Sequence, residues 1–146
     1  MRIVALGDSV TFGFGVLREQ AYPAALESIL NEGGGHVEVF NVSLFGWSTQ
    51  QERTAYHRIA RKYNPHVVIL GVCPNDIIEI RNNTLRPPRL LMGLYRHSHL
   101  LRGLMKLHTT EIRRVKELFE QSDSPRVQAA WSLFLKEVEG LAEDVK

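Results

Sequence analysis

Three short apolar runs limit what this chain can fold into: Ile3-Val4-Ala5-Leu6, Val37 to Val42, and His66 to Leu70. Each has the length and β-branched content of a strand, and each gives way to small or turn-forming residues. The first stops at Gly7-Asp8-Ser9, the second at Ser43-Leu44-Phe45-Gly46, the third at Gly71-Val72-Cys73-Pro74-Asn75-Asp76. The middle run carries a single charge, Glu38, as a strand covered on both faces would.

The connecting segments have helical period. Tyr22, Ala25, Leu26, Ile29 and Leu30 recur at helical spacing behind Pro23, and Gly33-Gly34-Gly35 ends the run. From Ser48 or Thr49 as cap, TQQERTAYHRIARKYN reads as a second helix with Tyr56, Ile59, Ala60 and Tyr63 on its apolar stripe, closed by Pro65. The order β-α-β-α-β implies a parallel sheet with right-handed crossovers. A last helix follows the turn cluster Ser122-Asp123-Ser124-Pro125. Its stripe is Trp131, Phe134, Leu135, Val138, Leu141, Ala142 and Val145, set against Lys136, Glu137, Glu139, Glu143 and Asp144. Between about 77 and 126 the chain changes texture, with arginines spread around Pro87-Pro88, and reads as a helical insertion over the strand ends.

Composition narrows the function classes. A chain of 146 residues, 44% hydrophobic and 23% charged, has the size of a single domain spanning 1–146. A net charge of +2 gives no basic footprint for nucleic acid. The lone cysteine, Cys73, excludes an internal disulfide and reads as a small apolar filler. No cluster has metal-ligand spacing, so no metal and no cofactor are expected. No run is long enough to cross a bilayer and none has signal-peptide character, which points to a cytoplasmic protein without stable membrane insertion.

Chemistry concentrates at the strand ends. Open parallel sheets place ligands in the crevice outside the carboxyl ends of their strands, so Ser9 stands where a nucleophile would be exposed. Asp8 and Ser9 also suit helix capping, Gly46 a tight turn, and Asn75-Asp76 a turn or cap. Together they meet the requirement of acyl transfer, a nucleophile beside neutral N–H donors aimed at a developing oxyanion.

GDSVTFG, NVSLFGWST, and PND after the VVIL strand resemble the first three sequence blocks of the SGNH hydrolases, the GDSL esterase family. The resemblance implies a flavodoxin-like three-layer α/β/α sandwich with a parallel sheet. It also implies a serine-dependent ester hydrolase in which Ser9 is the nucleophile, while the Ser9 amide, Gly46 and Asn75 form the oxyanion hole. The implied substrate is a small-molecule, lipid or carbohydrate ester. Two departures stand out: Cys73 replaces the glycine of the third block, and the last block, Asp-x-x-His, is absent. That block supplies the base and its orienting acid. The chain is therefore expected to be incomplete at its C-terminus and nearly inactive alone, since loss of triad members costs on the order of 10⁴ to 10⁶ in rate. His36, His57 and His66 read as surface residues, and His97, His99 and His108 lie in the insertion. The third strand would be an uncovered apolar edge, open to self-association. Two other readings remain: a phosphate-binding or nucleotide-binding module built on GDSVTFGFG, and a degenerate family member kept for interaction.

Overall fold

The computed structural model describes residues 1–74, 76–77, 98, 118–120 and 122–146. Three parallel strands form its sheet: β1 (Arg2–Gly7), β2 (Glu38–Ser43) and β3 (Val67–Gly71), in the order β2-β1-β3. Ala5 lies opposite both Asn41 and Ile69, and Gly7 opposite Ser43 and Gly71, so all three strands end together at one rim. β1, flanked on both sides, is the buried strand. Val4, Ala5 and Leu6 have no exposed surface.

Helices accompany the sheet, among them α1 (Ser9–Phe12), α2 (Tyr22–Asn31), α3 (Thr49–Arg58) and α4 (Pro125–Asp144). Strand side chains alternate between faces, and Val4, Leu6 and Val42 share one face with Ala55, Tyr56 and Ala60 and with Leu141 of α4. Trp47 packs against the same cluster. Asn41 points the other way, where its side-chain N–H reaches the Thr11 carbonyl of α1 at 2.9 Å. Helical layers on both faces of a parallel sheet make this an α/β fold, as expected. A second cluster, Ile77, Leu118, Val127, Ala130 and Phe134, gathers beneath α4.

Local sequence explains the element ends. Ser48 caps α3, its amide bonded to the Gln51 side chain at 2.9 Å in a capping box. Ser124 caps α4 by accepting the Val127 N–H at 3.3 Å, with Pro125 in the first turn.

Four expectations need correction. β2 is an edge strand rather than one covered on both faces, and only Val42 in it is buried. α2 packs chiefly on that edge, so Tyr22, Ile29 and Leu30 of its stripe stay exposed. α3 stops at Arg58 and the chain tightens into a 3₁₀ turn, Ala60–Tyr63, which Asn64 closes in the left-handed region. This shift buries Ala60 and turns Ile59 outward. On α4 the buried seam is Val127, Ala130, Phe134 and Leu141, narrower than the expected stripe, and Trp131, Leu135 and Val145 are exposed.

The polar face of α4 is not simply solvated either. Arg53 Nε of α3 donates to Asp144 Oδ2 at 2.7 Å, Arg53 also pairs with Glu137 at 3.4 Å, and His57 Nε2 lies 2.8 Å from Asp144 Oδ2. The insertion expected at about 77–126 lies almost entirely outside the described residues. β3 forms one edge of the described sheet, as expected.

Candidate active site

β1 delivers the first functional groups. Asp8 directly follows it, buried, and caps α1: its Oδ1 accepts the Val10 N–H at 2.9 Å. Ser9, partly exposed, opens the helix at the rim, and its hydroxyl donates to Asp8 Oδ2 over a long 3.4 Å. The same cap thus holds Ser9 at the rim.

Beneath Ser9, the turn is locked by sterics. Gly7 and Gly71 sit opposite each other at the ends of β1 and β3, and a Cβ on either would overlap the Thr11 side chain. Thr11 is 1% exposed, and its hydroxyl lies 3.4 Å from the Tyr22 hydroxyl. Sequence reasoning passed over Thr11. The signal was present in two adjacent strands that both end on glycine.

The second loop approaches from β2. The Leu44 N–H donates to the Gly7 carbonyl at 3.3 Å, and Gly46 turns the chain at φ +76° before Ser48 caps α3. A Cβ at Gly46 would meet nothing within 4 Å, so backbone conformation, not space, calls for glycine there. The Phe14 and Phe45 rings touch with centroids 5.1 Å apart, bringing the loops of Ser9 and Gly46 together.

At the third strand end, Asp76 Oδ2 accepts the Cys73 N–H at 2.7 Å, and the Asp76 N–H returns to the Cys73 carbonyl at 2.9 Å. These two bonds tie Asp76 back to Cys73. Asn75 itself lies outside the described residues. Asp76 is fully buried; burial pushes its carboxyl up to about 6, the Asp8 charge adds to that, and the Cys73 amide opposes it. Asp8, Asp76 and the buried Glu52 of α3 all act on Cys73, whose thiol is raised first by burial and then by these carboxylates. A thiol held in its neutral form is a poor nucleophile, in keeping with a filler role.

None of the histidines among the described residues reaches this rim. His36 precedes β2, and His66 precedes β3, where its Nδ1 accepts the Arg2 N–H at 3.1 Å; both lie at the opposite end of the sheet. His57 closes α3, far along from its Ser48 cap, and is bound to Asp144. His97, His99 and His108 fall outside the described residues. No group of three or more metal-ligating side chains occurs among the described residues, and no described helix is long and apolar enough to cross a membrane.

The model of the GDSL-like Lipase/Acylhydrolase family matches residues 5–131, nearly the whole of this arrangement. The chain belongs to that family. Among solved structures, this GDSL-family chain is similar to TesA, with 22% identity over 54% of its own length and 44% of TesA, at a TM-score of 0.50. That likeness is one of fold. It is also similar to AlinE4, described as a SGNH-hydrolase family esterase, with 28% identity over 53% of this chain and 42% of AlinE4, at a TM-score of 0.44. The chain thus spans less than half the length of these solved structures. No curated protein matches it significantly.

Proposed function

We propose that this chain carries the nucleophile half of a serine-dependent ester hydrolase. The observation that carries the reading is the position of Ser9, partly exposed on the first turn past β1, with the Gly46 loop drawn over the same rim by the Phe14–Phe45 contact. Ser9 Oγ attacks the ester carbonyl and the Oγ–C bond forms. The oxyanion accepts hydrogen bonds from the amides of Ser9 and Gly46 and from the Asn75 side chain, each such donor contributing about 2.7 to 4 kcal/mol. The alcohol leaves with a proton, and water then releases the acid from the acyl-enzyme.

Asp8 holds the turn rather than serving as base. Its carboxylate is committed to the Val10 amide, and its contact with Ser9 is long. The proton from Ser9 therefore goes to a base that is not among the described residues. The same carboxylate disfavours a phosphate cradle, since a buried negative charge already occupies the start of the four-residue α1.

Hydrolysis of p-nitrophenyl acetate tests this, using the 146-residue chain and a form continued past Lys146 through an Asp-x-x-His segment, each beside Ser9→Ala. In the longer form Ser9→Ala should lower the rate by roughly 10⁴ to 10⁶. The shorter chain should match its own Ser9→Ala variant. A longer form whose rate survives Ser9→Ala overturns the reading.

A further inference from the structure

Asparagine is depleted in strands, yet Asn41 stands in the middle of β2, opposite Ala5 of β1. It is exposed, so packing does not account for it. Both ends of its side chain are used. Nδ2 donates to the Thr11 carbonyl of α1 at 2.9 Å, and Oδ1 accepts the Ser43 hydroxyl. Turning the amide over would break both bonds at once.

α1 has a use for that donor. Around its single turn the Phe12 N–H takes the Asp8 carbonyl at 2.9 Å, the Gly13 N–H the Val10 carbonyl at 3.2 Å and the Phe14 N–H the Ser9 carbonyl at 2.9 Å. The Thr11 carbonyl is left over, and among the described residues it is the Asn41 side chain that satisfies it. Thr11 stands two residues past Ser9, and Ser43 three residues before Gly46. The bonds from Ser43 through Asn41 to Thr11 therefore bridge the helix that Ser9 opens and the root of the second loop. The start of β2 is tied differently. Asn31 of α2 donates to the Val37 carbonyl and accepts its N–H, both at 2.8 Å, and Glu27 accepts the Val39 N–H at 2.6 Å. Those bonds satisfy backbone beside α2, whereas Asn41 holds α1.

We propose that Asn41 and Ser43 are positioning residues, a hydrogen-bond relay that sets the spacing between the Ser9 and Gly46 amides. The proposal rests on the hydrolase reading above, in which those two amides receive one oxyanion. Such donors act only when both lie about 2.7–3.1 Å from that oxygen. The relay meets this need by fixing two stretches of backbone against each other. It does so with side chains outside the core, since Asn41 is exposed and Ser43 partly so.

Two measurements test the relay. In the 146-residue chain, amide hydrogen exchange reads α1 with no need of a catalytic base. Asn41→Ala, and Asn41→Asp, which keeps an acceptor for Ser43, should speed exchange of the Phe12, Gly13 and Phe14 amides about tenfold and leave the β1 amides unchanged. In the longer form each should lower kcat for p-nitrophenyl acetate about tenfold or more, with KM within about twofold of the parent. Ser43→Ala should lower kcat less, and Ser43→Thr, which keeps the hydroxyl, should match the parent. Asn31→Ala breaks the Val37 bonds at the far end of β2 and should lower Tm while leaving kcat alone. Parent-like exchange and kcat in Asn41→Ala overturn the proposal. So does an equal loss of kcat in Asn31→Ala, which would make Asn41 one structural tie among others. The two readings fail separately. Faster α1 exchange beside hydrolysis that survives Ser9→Ala supports the tie to α1 and sinks the hydrolase reading, whereas Ser9-dependent hydrolysis untouched by Asn41→Ala sinks only the relay.

Discussion

The turn after β1 and the turn after β2 reach the same rim by opposite means. The first is built from below. Asp8 and Thr11 are each 1% exposed, Gly7 and Gly71 clear space for Thr11, and Asn41 ties α1 to the neighbouring strand. The second is held from above, by a glycine at positive φ and one exposed ring pair. Packing fixes the proposed nucleophile, whereas the proposed oxyanion loop rests on the Leu44 N–H bond to the Gly7 carbonyl besides those two features. A reacting atom tolerates little displacement, so rigidity belongs under Ser9.

The largest expected effect attacks that rigidity. Gly71→Ala places a methyl group against the Thr11 hydroxyl and should cost about 2–3 kcal/mol in urea unfolding, the range for overpacking a tight core. Thr11→Ala in the same chain should recover most of that loss. Gly7→Ala should be recovered less well, because its Cβ would also lie 2.6 Å from Thr11 Cβ and 3.3 Å from the Gly71 carbonyl. Additive losses in the double variants would show that Thr11 is not the element that locks the turn.

Asp76 extends the contrast to the third strand end, where the lock is electrostatically unfavourable. Its folded-state carboxyl lies at about 6, above the 3.8 of an unperturbed aspartate, so the folded state holds the proton more tightly than the unfolded chain. Stability from this group is complete below about pH 4 and is lost as pH rises through 6. The loss amounts to roughly 2–3 kcal/mol at about 1.4 kcal/mol per pH unit. Asp76→Asn keeps an acceptor for the Cys73 amide and removes the charge. It should raise Tm at pH 7.5 and flatten the pH 4–6 slope; a Tm lower than the parent's at pH 7.5 contradicts the assignment. Asp144 has the opposite sign. Its carboxyl is held below the usual range by the Arg53 bond first and by His57 second, so that contribution is lost on acidification.

At the second turn the expected effect is smaller. Gly46→Ala meets no neighbour and carries only the left-handed penalty, about 1–2 kcal/mol if the loop keeps its conformation and less if the loop relaxes. In the longer form it should reduce p-nitrophenyl acetate turnover more than it reduces stability. A Gly46→Ala loss equal to that of Gly71→Ala would erase the distinction between the two turns.

The parts legible in the sequence were those governed by local chemistry. Three strands, the Ser48 cap, the turn cluster before Pro125 and the Gly33 stop follow from propensity and capping within a few residues. The positions of Ser9 and Gly46 past strand ends were legible for the same reason. What escaped depends on partners distant in sequence. Glu52 sits in the polar stretch TQQERT and is fully buried, and Asp144 meets Arg53 and His57 across 91 and 87 residues. The exposure of β2 and α2 follows from strand order, which periodicity does not contain.

Gly140 is a last glycine that tells space from conformation. It lies within α4, and a Cβ there would overlap the tip of the Arg53 guanidinium, not backbone. Two effects compete. A helical interior glycine costs about 0.5–1 kcal/mol relative to alanine, whereas the displaced arginine tip is flexible and its ion pairs are partly open to solvent. Propensity should win. Gly140→Ala should leave stability unchanged or raise it by up to about 1 kcal/mol, and should weaken its salt dependence by loosening Arg53 from Asp144 and Glu137. A clear loss of stability would instead place the α3–α4 ion pairs beside Thr11 as packing that the fold cannot move.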